Sequence, residues 1–316
     1  MAALDLGTNN CRLLIAEVGP GGFRPLRGVQ RLVRLGEGLA RGGRLAPAAV
    51  ARTLAVLADY DRLARAEGAT ERRGVVTEVA RRAADGRDFL DRARALGWPL
   101  EIASAEREAR LALLACRPLV DPAAPRTVIA DIGGGSSEIL LHRPGAAWVG
   151  VSLPLGAVVL RERLGDGADP AVFAAVAATV RAALARSGLP ALAPEPGATL
   201  IGTSGTATVL AGLALGLAEP DRARIDGAVL APAALVRARE TFVAWSPERR
   251  CAHPLVGPRR ADVLATGAAI LETVMDWFGC TRFVAADRGP LEGLVREACG
   301  ETAPSLHLTV VAEAVA

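Results

Sequence analysis

Residues 131–138, with the sequence DIGGGSSE, have the composition of a phosphate-binding loop flanked by two acids. Consecutive glycines let backbone N–H groups approach an anion closely, because no Cβ atom stands in the way, and the serines add hydroxyl donors. The flanking Asp131 and Glu138 are suited to hold a hydrated Mg²⁺ or Mn²⁺ beside the phosphate, since Mg²⁺ usually binds through one or two carboxylates. A glycine-rich hairpin without a ligand is the alternative. The candidate phosphate ligands of this loop are Gly133, Gly134, Gly135, Ser136 and Ser137.

The start of the chain carries a second copy of this pattern. When Asp5 is aligned with Asp131, an offset of 126 residues brings LDLGTNNCRLLI onto ADIGGGSSEILL without a gap. Each copy predicts a β-hairpin with an aspartate at its mouth, and the repeat predicts two related α/β domains. Arg12 takes the place of Glu138 in the first copy, where it either faces the same site or forms a structural ion pair. The candidates in this copy are Asp5 for the metal and Gly7, Thr8, Asn9, Asn10 and Arg12 for phosphate.

The basic residues narrow the chemistry that is open to the chain. All 37 of them are arginines, which excludes a P-loop lysine, a Schiff-base lysine and a lysine general base. The net charge of +3 is too small to predict nucleic-acid binding. The five cysteines and three histidines are widely scattered, so neither a disulfide framework nor a histidine metal site is expected.

Apolar runs in the chain are short. None approaches the roughly 18–20 residues of a membrane helix, and a candidate strand at residues 2–6 leaves no room for a signal peptide. We therefore expect a cytoplasmic protein that binds neither membrane nor nucleic acid.

The elements that must position these residues are strands followed by helices in both halves of the chain. Strands with glycine-rich turns open each half, and helices bounded by proline and glycine follow. A chain of 316 residues is ordinary for two domains, and the proline-rich segment 121–125 is the best linker. We therefore predict domains at 1–124 and 125–316. Near the C-terminus we predict a long helix at 258–278 and a last helix from Pro290.

The two hairpins together resemble the paired phosphate loops of the actin, Hsp70 and sugar-kinase superfamily. Further segments in family order narrow the resemblance to the exopolyphosphatase/guanosine pentaphosphate phosphohydrolase (Ppx/GppA) family, in its short two-domain form. The resemblance implies an α/β fold of two duplicated actin-like (ribonuclease H-like) domains with a catalytic cleft between them. The segments are RLGEG at 34–38, TEVARRA at 77–83, SAEREARL at 104–111, LPLGA at 153–157, GTSGTAT at 202–208, RADV at 260–263 and DRG at 287–289.

The same resemblance assigns roles to single residues. Glu108 matches the family's catalytic base for water, and Arg81 matches an arginine that contacts substrate phosphate. Asp5, Asp131 and Glu138 match the acidic groups around the metal and the attacking water. The resemblance therefore implies that Asp131 and Glu138 serve both the metal and catalysis.

Three positions depart from the family pattern. Arg107 replaces the first of two acids that usually precede the Ala-Arg pair, and the loss of that negative charge is expected to lower the pKa of the base. Ser204 stands where a glycine is common. Pro290 follows the Asp-Arg-Gly segment.

The reaction that the resemblance implies is release of terminal phosphate from a phosphoanhydride by metal-assisted attack of water. The substrate would be inorganic polyphosphate or guanosine pentaphosphate, and the latter would connect the enzyme with the stringent response. Phosphoryl transfer needs mainly positioning and charge neutralisation, which loops, arginines and acids can supply. Two alternatives stay open, a kinase on the same fold and a non-catalytic sensor of guanosine tetra- or pentaphosphate. A homodimer is also left open.

Overall fold

The structure, a computed structural model, describes residues 1–19, 21–258 and 260–311. The strands are β1 (Ala2–Leu6), β2 (Asn10–Gly19), β3 (Gly22–Leu32), β4 (Arg72–Val76), β5 (Leu100–Ile102), β6 (Thr127–Ile132), β7 (Ser137–His142), β8 (Trp148–Leu153), β9 (Glu195–Thr203), β10 (Val229–Leu230), β11 (Cys280–Ala285) and β12 (Leu306–Val310).

The helices follow the strands in the order predicted for an α/β chain. They are α1 (Leu39–Gly42), α2 (Pro47–Ala66), α3 (Glu78–Arg82), α4 (Gly86–Ala95), α5 (Ala105–Cys116), α6 (Ala157–Leu164), α7 (Pro170–Arg186), α8 (Ser204–Ala214), α9 (Arg222–Ile225), α10 (Pro232–Val243), α11 (Pro247–Ala252), α12 (Leu264–Trp277) and α13 (Pro290–Ala298). In the described part of the chain, no helix is both long enough and apolar enough to cross a membrane.

Contacts within the chain divide it into two compact units. The first unit contains Met1–Ala115 and Pro290–Ala303, and the second contains Cys116–Gly289 and the chain from Pro304 onward. This division differs from the predicted domains 1–124 and 125–316 in two places. The predicted linker belongs to the second unit, where Asp121 forms an ion pair with Arg282 at 3.2 Å. Residues 290–303 return to the first unit because the apolar face of α13 packs there.

The first unit is a five-stranded sheet with the order β3-β2-β1-β4-β5. The strands β1, β2 and β3 are antiparallel neighbours, while β4 runs parallel to β1 and β5 parallel to β4. α2 and α4 pack on one face, where Trp98, Tyr60 and Phe89 are buried. The Trp98 indole N–H donates to the carbonyl of Leu57 at 2.9 Å, and the Tyr60 hydroxyl donates to the carbonyl of Cys11 at 3.0 Å.

Side chains along β1 alternate between the two faces of this sheet. Ala2, Leu4 and Leu6 join the core under α2 and α4. Ala3 packs on the opposite face with residues of α5 and α13, so Asp5, two residues further along the same strand, lies on that face as well. The return of α13 therefore brings a helix against the face of the sheet that carries Asp5.

The second unit is a seven-stranded sheet with the order β10-β11-β9-β6-β7-β8-β12. Helices α7, α8, α10 and α12 surround an apolar core that includes Phe242, Phe278 and Ile270. The inner strands β8-β7-β6-β9-β11 have the same order as β3-β2-β1-β4-β5 in the first unit. β10 and β12 are additions at the two edges of the sheet.

The two hairpins match in register as well as in order. Asp5 is paired with Arg12 across β1 and β2, and Asp131 is paired with Glu138 across β6 and β7. In both hairpins a loop N–H bonds to the carbonyl three residues later, at 2.9 Å: Gly7 to Asn10 in the first unit and Gly133 to Ser136 in the second. The predicted duplicated actin-like α/β fold is confirmed.

Several elements differ from the sequence prediction. The helix predicted at 258–278 begins only at Leu264, because the preceding residues form turns in which Ala261 N–H bonds to the carbonyl of Gly257; Arg259 lies outside the described residues. Six short elements were missed because they contain few residues and little periodicity, namely α1, α3, α9, α11, β10 and β12.

Candidate active site

The glycine-rich loop of the second unit is held by the segment that follows β8. The backbone N–H groups of Ala157 and Val158, in the first turn of α6, donate to the carbonyls of Gly133 and Gly134 at 2.9 and 3.0 Å. These carbonyl oxygens, which would repel a phosphate, are therefore engaged by the helix. A Cβ atom on Gly156 would lie 2.3 Å from the backbone carbonyl of Gly134, so only glycine fits this approach.

The first unit holds its loop in the same way with the segment that follows β3. The N–H of Gly36 donates to the carbonyl of Thr8 at 3.0 Å, and those of Val33 and Arg34 donate to the carbonyl of Asn9 at 2.8 and 3.0 Å. A Cβ atom on Gly36 would lie 2.4 Å from Cγ2 of Thr8. The family segments 34–38 and 153–157 thus perform the same structural task in the two units.

The predicted phosphate ligands differ in exposure. Ser137 is fully buried and its hydroxyl donates to the carbonyl of Leu155 at 2.7 Å. This contact uses the hydroxyl hydrogen that was expected to reach phosphate, so Ser137 supports the loop instead. Of the other candidates, Gly135 and Ser136 are buried, whereas Gly7, Thr8, Asn9, Asn10, Arg12, Gly133 and Gly134 are half-buried.

A row of polar side chains crosses four strands of the second sheet at the level of this loop. Asp131 on β6 is paired with Thr203 on β9 and with Glu138 on β7, which is paired in turn with Ser152 on β8. Ser152 Oγ donates to Oε1 of the buried Glu138 at 2.9 Å. Two carboxylates that face each other across antiparallel strands repel, and a cation beside them would remove that repulsion.

The donor set fits Mg²⁺ or Mn²⁺ better than a softer metal. Both groups offer hard carboxylate oxygens, and Mg²⁺ commonly binds through one or two carboxylates and keeps several waters. Within residues 1–19, 21–258 and 260–311, no group of three or more His, Cys, Asp or Glu side chains is placed to enclose a metal. A site in which Asp131, Glu138 and water molecules hold the ion agrees with these oxygen donors and needs no third protein carboxylate.

The equivalent position in the first unit has a different charge pattern. Asp5 is 8% exposed and stands opposite Arg12. A carboxylate and a guanidinium therefore take the places of the two carboxylates of the second unit. Burial raises the pKa of Asp5, Arg12 opposes this effect, and Glu292 on α13 adds to it. Glu292 is itself 7% exposed. Sequence reasoning missed it, although a glutamate inside the apolar stretch of a short helix is a signal that could have marked it.

The proposed base lies in the first turn of α5. Ser104 Oγ accepts a hydrogen bond from the Arg107 N–H at 3.1 Å and thereby caps the start of this helix. Glu108 is 8% exposed, and its carboxylate accepts a hydrogen bond from Nη1 of Arg81. The same Nη1 atom donates to the carbonyl of Ala103. The structure therefore brings Glu108 and Arg81 together, and Arg81 is supplied by the short helix α3 that the sequence did not reveal.

The backbone at position 204 accounts for the glycine that the family resemblance leads us to expect there. Ser204 has φ 74°, a left-handed conformation that favours glycine. Its hydroxyl donates to the carbonyl of Ile132, the last residue before the glycine loop, at 2.7 Å. The preceding Thr203 donates through Oγ1 to the carbonyl of Arg288. The serine therefore adds a link between the start of α8 and the loop.

The Asp-Arg-Gly segment is fixed by one carboxylate. Asp226 accepts hydrogen bonds from Nε of Arg288 at 2.9 Å and from the N–H of Asp287 at 3.1 Å. Pro290 occupies the first position of α13, where a missing N–H has no effect on helical hydrogen bonding. The departure at Pro290 is thus compatible with the helix that it begins.

Comparison with known proteins gives a consistent result. The sequence model of the Ppx/GppA phosphatase family matches residues 14–301. The chain is 36% identical over 289 residues to exopolyphosphatase 2 of Mycobacterium tuberculosis, covering 86% of this chain and 88% of that protein. It is 28% identical over 298 residues to exopolyphosphatase 1 of Mycobacterium bovis, covering 93% of this chain and 75% of that protein.

Solved structures support the same assignment. The crystal structure of the Ppx/GppA family member from Aquifex aeolicus aligns with a TM-score of 0.79 and 28% identity, covering 95% of this chain and 97% of that one. An exopolyphosphatase from Cytophaga hutchinsonii aligns with a TM-score of 0.84 and 20% identity over 95% of this chain and 97% of that one, a likeness of fold. On the strength of the matched residues and these relatives, the chain belongs to the Ppx/GppA phosphatase family.

Proposed function

We propose that this chain is an exopolyphosphatase, a hydrolase that releases terminal phosphate from inorganic polyphosphate. The observation that carries the proposal is the buried Glu108, whose carboxylate is engaged by Arg81 at the start of α5. A buried carboxylate beside an arginine is an arrangement suited to orienting a water and binding a phosphate at neighbouring points. Relatives named exopolyphosphatase support polyphosphate as the substrate.

The residues divide the work of hydrolysis between binding and proton transfer. We expect backbone N–H groups of the loop 7–10 in the first unit to bind phosphate oxygens of the substrate, and Arg81 to contact one of them. The loop 133–136 of the second unit offers backbone N–H groups for phosphate oxygens in the same manner. Glu108 accepts a proton as water attacks phosphorus, the bond from phosphorus to the bridging oxygen breaks, and that oxygen remains with the shortened chain. A bound phosphate would compete with the Glu108 carboxylate for the Arg81 guanidinium, whose Nη1 donates to Glu108 and to the carbonyl of Ala103.

Asp131 and Glu138 are the residues that we propose to hold Mg²⁺ or Mn²⁺. When bound, the ion would neutralise charge on the phosphate oxygens. Phosphate release should therefore be lost in EDTA and return when Mg²⁺ is added in excess. Full activity after exhaustive chelation would contradict the assignment of these two carboxylates to a metal.

Substrate preference is tested by comparing kcat/KM for long polyphosphate, tripolyphosphate and guanosine pentaphosphate with Mg²⁺ present. We expect long polyphosphate to give the highest value. A higher value for guanosine pentaphosphate would assign the chain to that substrate instead. Phosphate transfer that requires an added hydroxyl or carboxylate acceptor would identify a kinase, and tight nucleotide binding without turnover would identify a sensor.

A further inference from the structure

Three consecutive charged residues of α5 have three different surroundings. Glu106 is exposed and pairs with Arg110 on the same helix at 2.8 Å. Glu108 is buried and pairs with Arg81. Arg107 lies between the two glutamates in sequence, at the position where the family usually has an acid. None of the described hydrogen bonds of its side chain goes to Glu106 or Glu108. Its partners are carboxylates on two other elements.

Arg107 binds one of those carboxylates with both arms of its guanidinium. Nη2 donates to Oε2 of Glu297 at 2.7 Å and Nη1 donates to Oε1 of the same residue. Nε donates to Oε1 of Glu101, beside the start of α5, at 2.7 Å. A bidentate arginine–carboxylate pair fixes direction as well as distance. The Arg107 and Glu297 side chains are 29% and 24% exposed, so the pair is partly shielded from water.

The two helices that this pair joins also meet one turn away. A Cβ atom on Gly293 of α13 would lie 2.4 Å from the carbonyl oxygen of Leu111 on α5. Glu297 lies one turn after Gly293, whereas Arg107 lies one turn before Leu111. The helices therefore run antiparallel along their contact. Gly293 lets the two helices approach closely. The Arg107–Glu297 ion pair joins them one turn away, where α5 begins and α13 ends.

We propose that the Arg107–Glu297 pair is a positioning device that fixes the rotation of the first turns of α5 and thereby the place of the Glu108 carboxylate. The proposal rests on the proposed function, in which Glu108 is the base. Residue 108 points about 100° away from residue 107 around the helix. A twist of α5 that breaks the pair would therefore swing Glu108 away from Arg81. An acid at position 107 could not form this pair with Glu297.

The test is a double-mutant cycle with a matched control on the same helix. Arg107→Gln, Glu297→Gln and the double variant are compared with wild type for phosphate release from tripolyphosphate. Misplacement of a reacting group by 1 Å lowers the reaction rate by ~10²-fold. Each single variant should therefore lower kcat by roughly 10- to 100-fold. KM should change by less than about threefold. The double variant should lose no more of the wild-type kcat than either single variant loses. Arg110→Gln, which removes the pair with Glu106, should retain the wild-type kcat.

The pH profile separates positioning from a purely electrostatic effect. If Arg107 positions Glu108, kcat should fall by the same factor at every pH. A shift of the acid limb of the profile with an unchanged plateau would show that only the charge of Arg107 matters and would overturn the proposal. A lower unfolding temperature with an unchanged kcat below it would mark the pair as merely structural and would also overturn it.

The controls distinguish this inference from the proposed function. If wild type is active and Glu108→Gln is inactive, an unchanged kcat in Arg107→Gln refutes the positioning role of Arg107 and leaves the proposed function standing. If wild type releases no phosphate, or Glu108→Gln is fully active, the proposed function fails and the inference fails with it. Should a glutamine variant not fold, Arg107→Lys takes its place, because it keeps the charge and loses the fork. A wild-type kcat in that folded variant would overturn the proposal.

Discussion

At the scale of single residues, the two glutamates of α5 show how position on a helix separates a buried carboxylate from an exposed one. Glu106 and Glu108 are two residues apart and therefore about 200° apart around the helix axis. Glu106 is exposed with Arg110 as its partner, whereas Glu108 is 8% exposed with Arg81 as its partner. Only the second position combines a buried carboxylate with Arg81, the arginine that we propose to bind phosphate.

We predict that Glu108→Gln lowers kcat by roughly 10²–10⁴-fold, the usual contribution of a general base. Glutamine keeps the size of the side chain and an oxygen that can accept the Arg81 hydrogen bond, so the fold and the binding of polyphosphate should change little. Glu106→Gln is the matched control and should be nearly silent. Steady-state phosphate release and binding of a non-hydrolysable polyphosphate measure the two effects. Normal turnover in Glu108→Gln together with inactivity of Glu106→Gln would assign the base to Glu106.

Asp5 illustrates a buried side chain whose ionised form is unfavourable for the stability of the fold. Burial raises its pKa, with Arg12 opposing and Glu292 adding to the effect. An acid with a raised pKa in the folded state is ionised more readily in the unfolded chain. The ionised form is therefore unfavourable in the native protein relative to the unfolded one, and stability falls as the pH rises from the ordinary pKa through the raised one.

We predict that Asp5→Asn raises the thermal unfolding temperature in EDTA at neutral pH while it lowers phosphate release. The gain in stability over wild type should shrink as the pH is lowered below the ordinary pKa of an aspartate, because both states of the wild type are then protonated. Thermal unfolding followed across pH measures this difference. A stability gain that is independent of pH would show that charge burial is not its cause, and full activity of Asp5→Asn would remove Asp5 from the site.

At the scale of elements, each phosphate loop depends on a glycine from a segment that is distant in sequence. Gly156 and Gly36 lie against the loops of the second and first unit, but the atoms that they face differ. An added Cβ at position 156 would meet the backbone of Gly134 at 2.3 Å, which cannot rotate away. At position 36 it would meet Cγ2 of Thr8 at 2.4 Å, a methyl group that another side-chain rotamer can remove.

We predict that Gly156→Ala lowers the free energy of unfolding by about 1–3 kcal/mol, the usual effect of overpacking. Because the displaced atoms belong to the phosphate loop, KM for polyphosphate should rise in the same variant. Gly36→Ala should have a smaller effect on both quantities. Gly28→Ala is the control, since Gly28 lies in β3 with no atom within 4 Å of an added Cβ, and it should match wild type. Denaturant unfolding and steady-state kinetics provide the measurements.

The same contacts mark what the sequence could and could not predict. The hairpin repeat predicted that Asp5 corresponds to Asp131 and Arg12 to Glu138. The structure pairs Asp5 with Arg12 and Asp131 with Glu138, because the two-residue period of strands carries an ungapped alignment directly into register. Glu108 and Arg81 were singled out only through family resemblance. Their pairing was not predicted, since α3, which carries Arg81, has five residues and little periodicity. The contacts of Gly36, Gly156 and Arg107 could not be predicted, because they depend on how separate elements pack.

At the scale of the whole molecule, the C-terminal part of the chain serves both units in succession. Residues 290–303 belong to the first unit, and the chain from Pro304 onward belongs to the second. Within α13, Leu294 and Val295 are buried with Ala3, Leu14 and Val75 of the first sheet. Twelve residues after Leu294, Leu306 on β12 is 4% exposed and is paired with Trp148 on β8. A linear division into two halves could not anticipate this exchange.

The two leucines provide a test of that organisation. We predict that Leu294→Ala and Leu306→Ala, identical changes at neighbouring points of the sequence, destabilise different units. Loss of a buried leucine usually costs about 2–5 kcal/mol, and local opening is reported by the amide hydrogens of the elements that lose the contact. Hydrogen exchange in Leu294→Ala should accelerate mainly in β1 and β2, against which α13 packs. In Leu306→Ala it should accelerate mainly in β8, which β12 pairs with. Faster exchange of β8 in Leu294→Ala, with β1 and β2 unchanged, would contradict the assignment of α13 to the first unit.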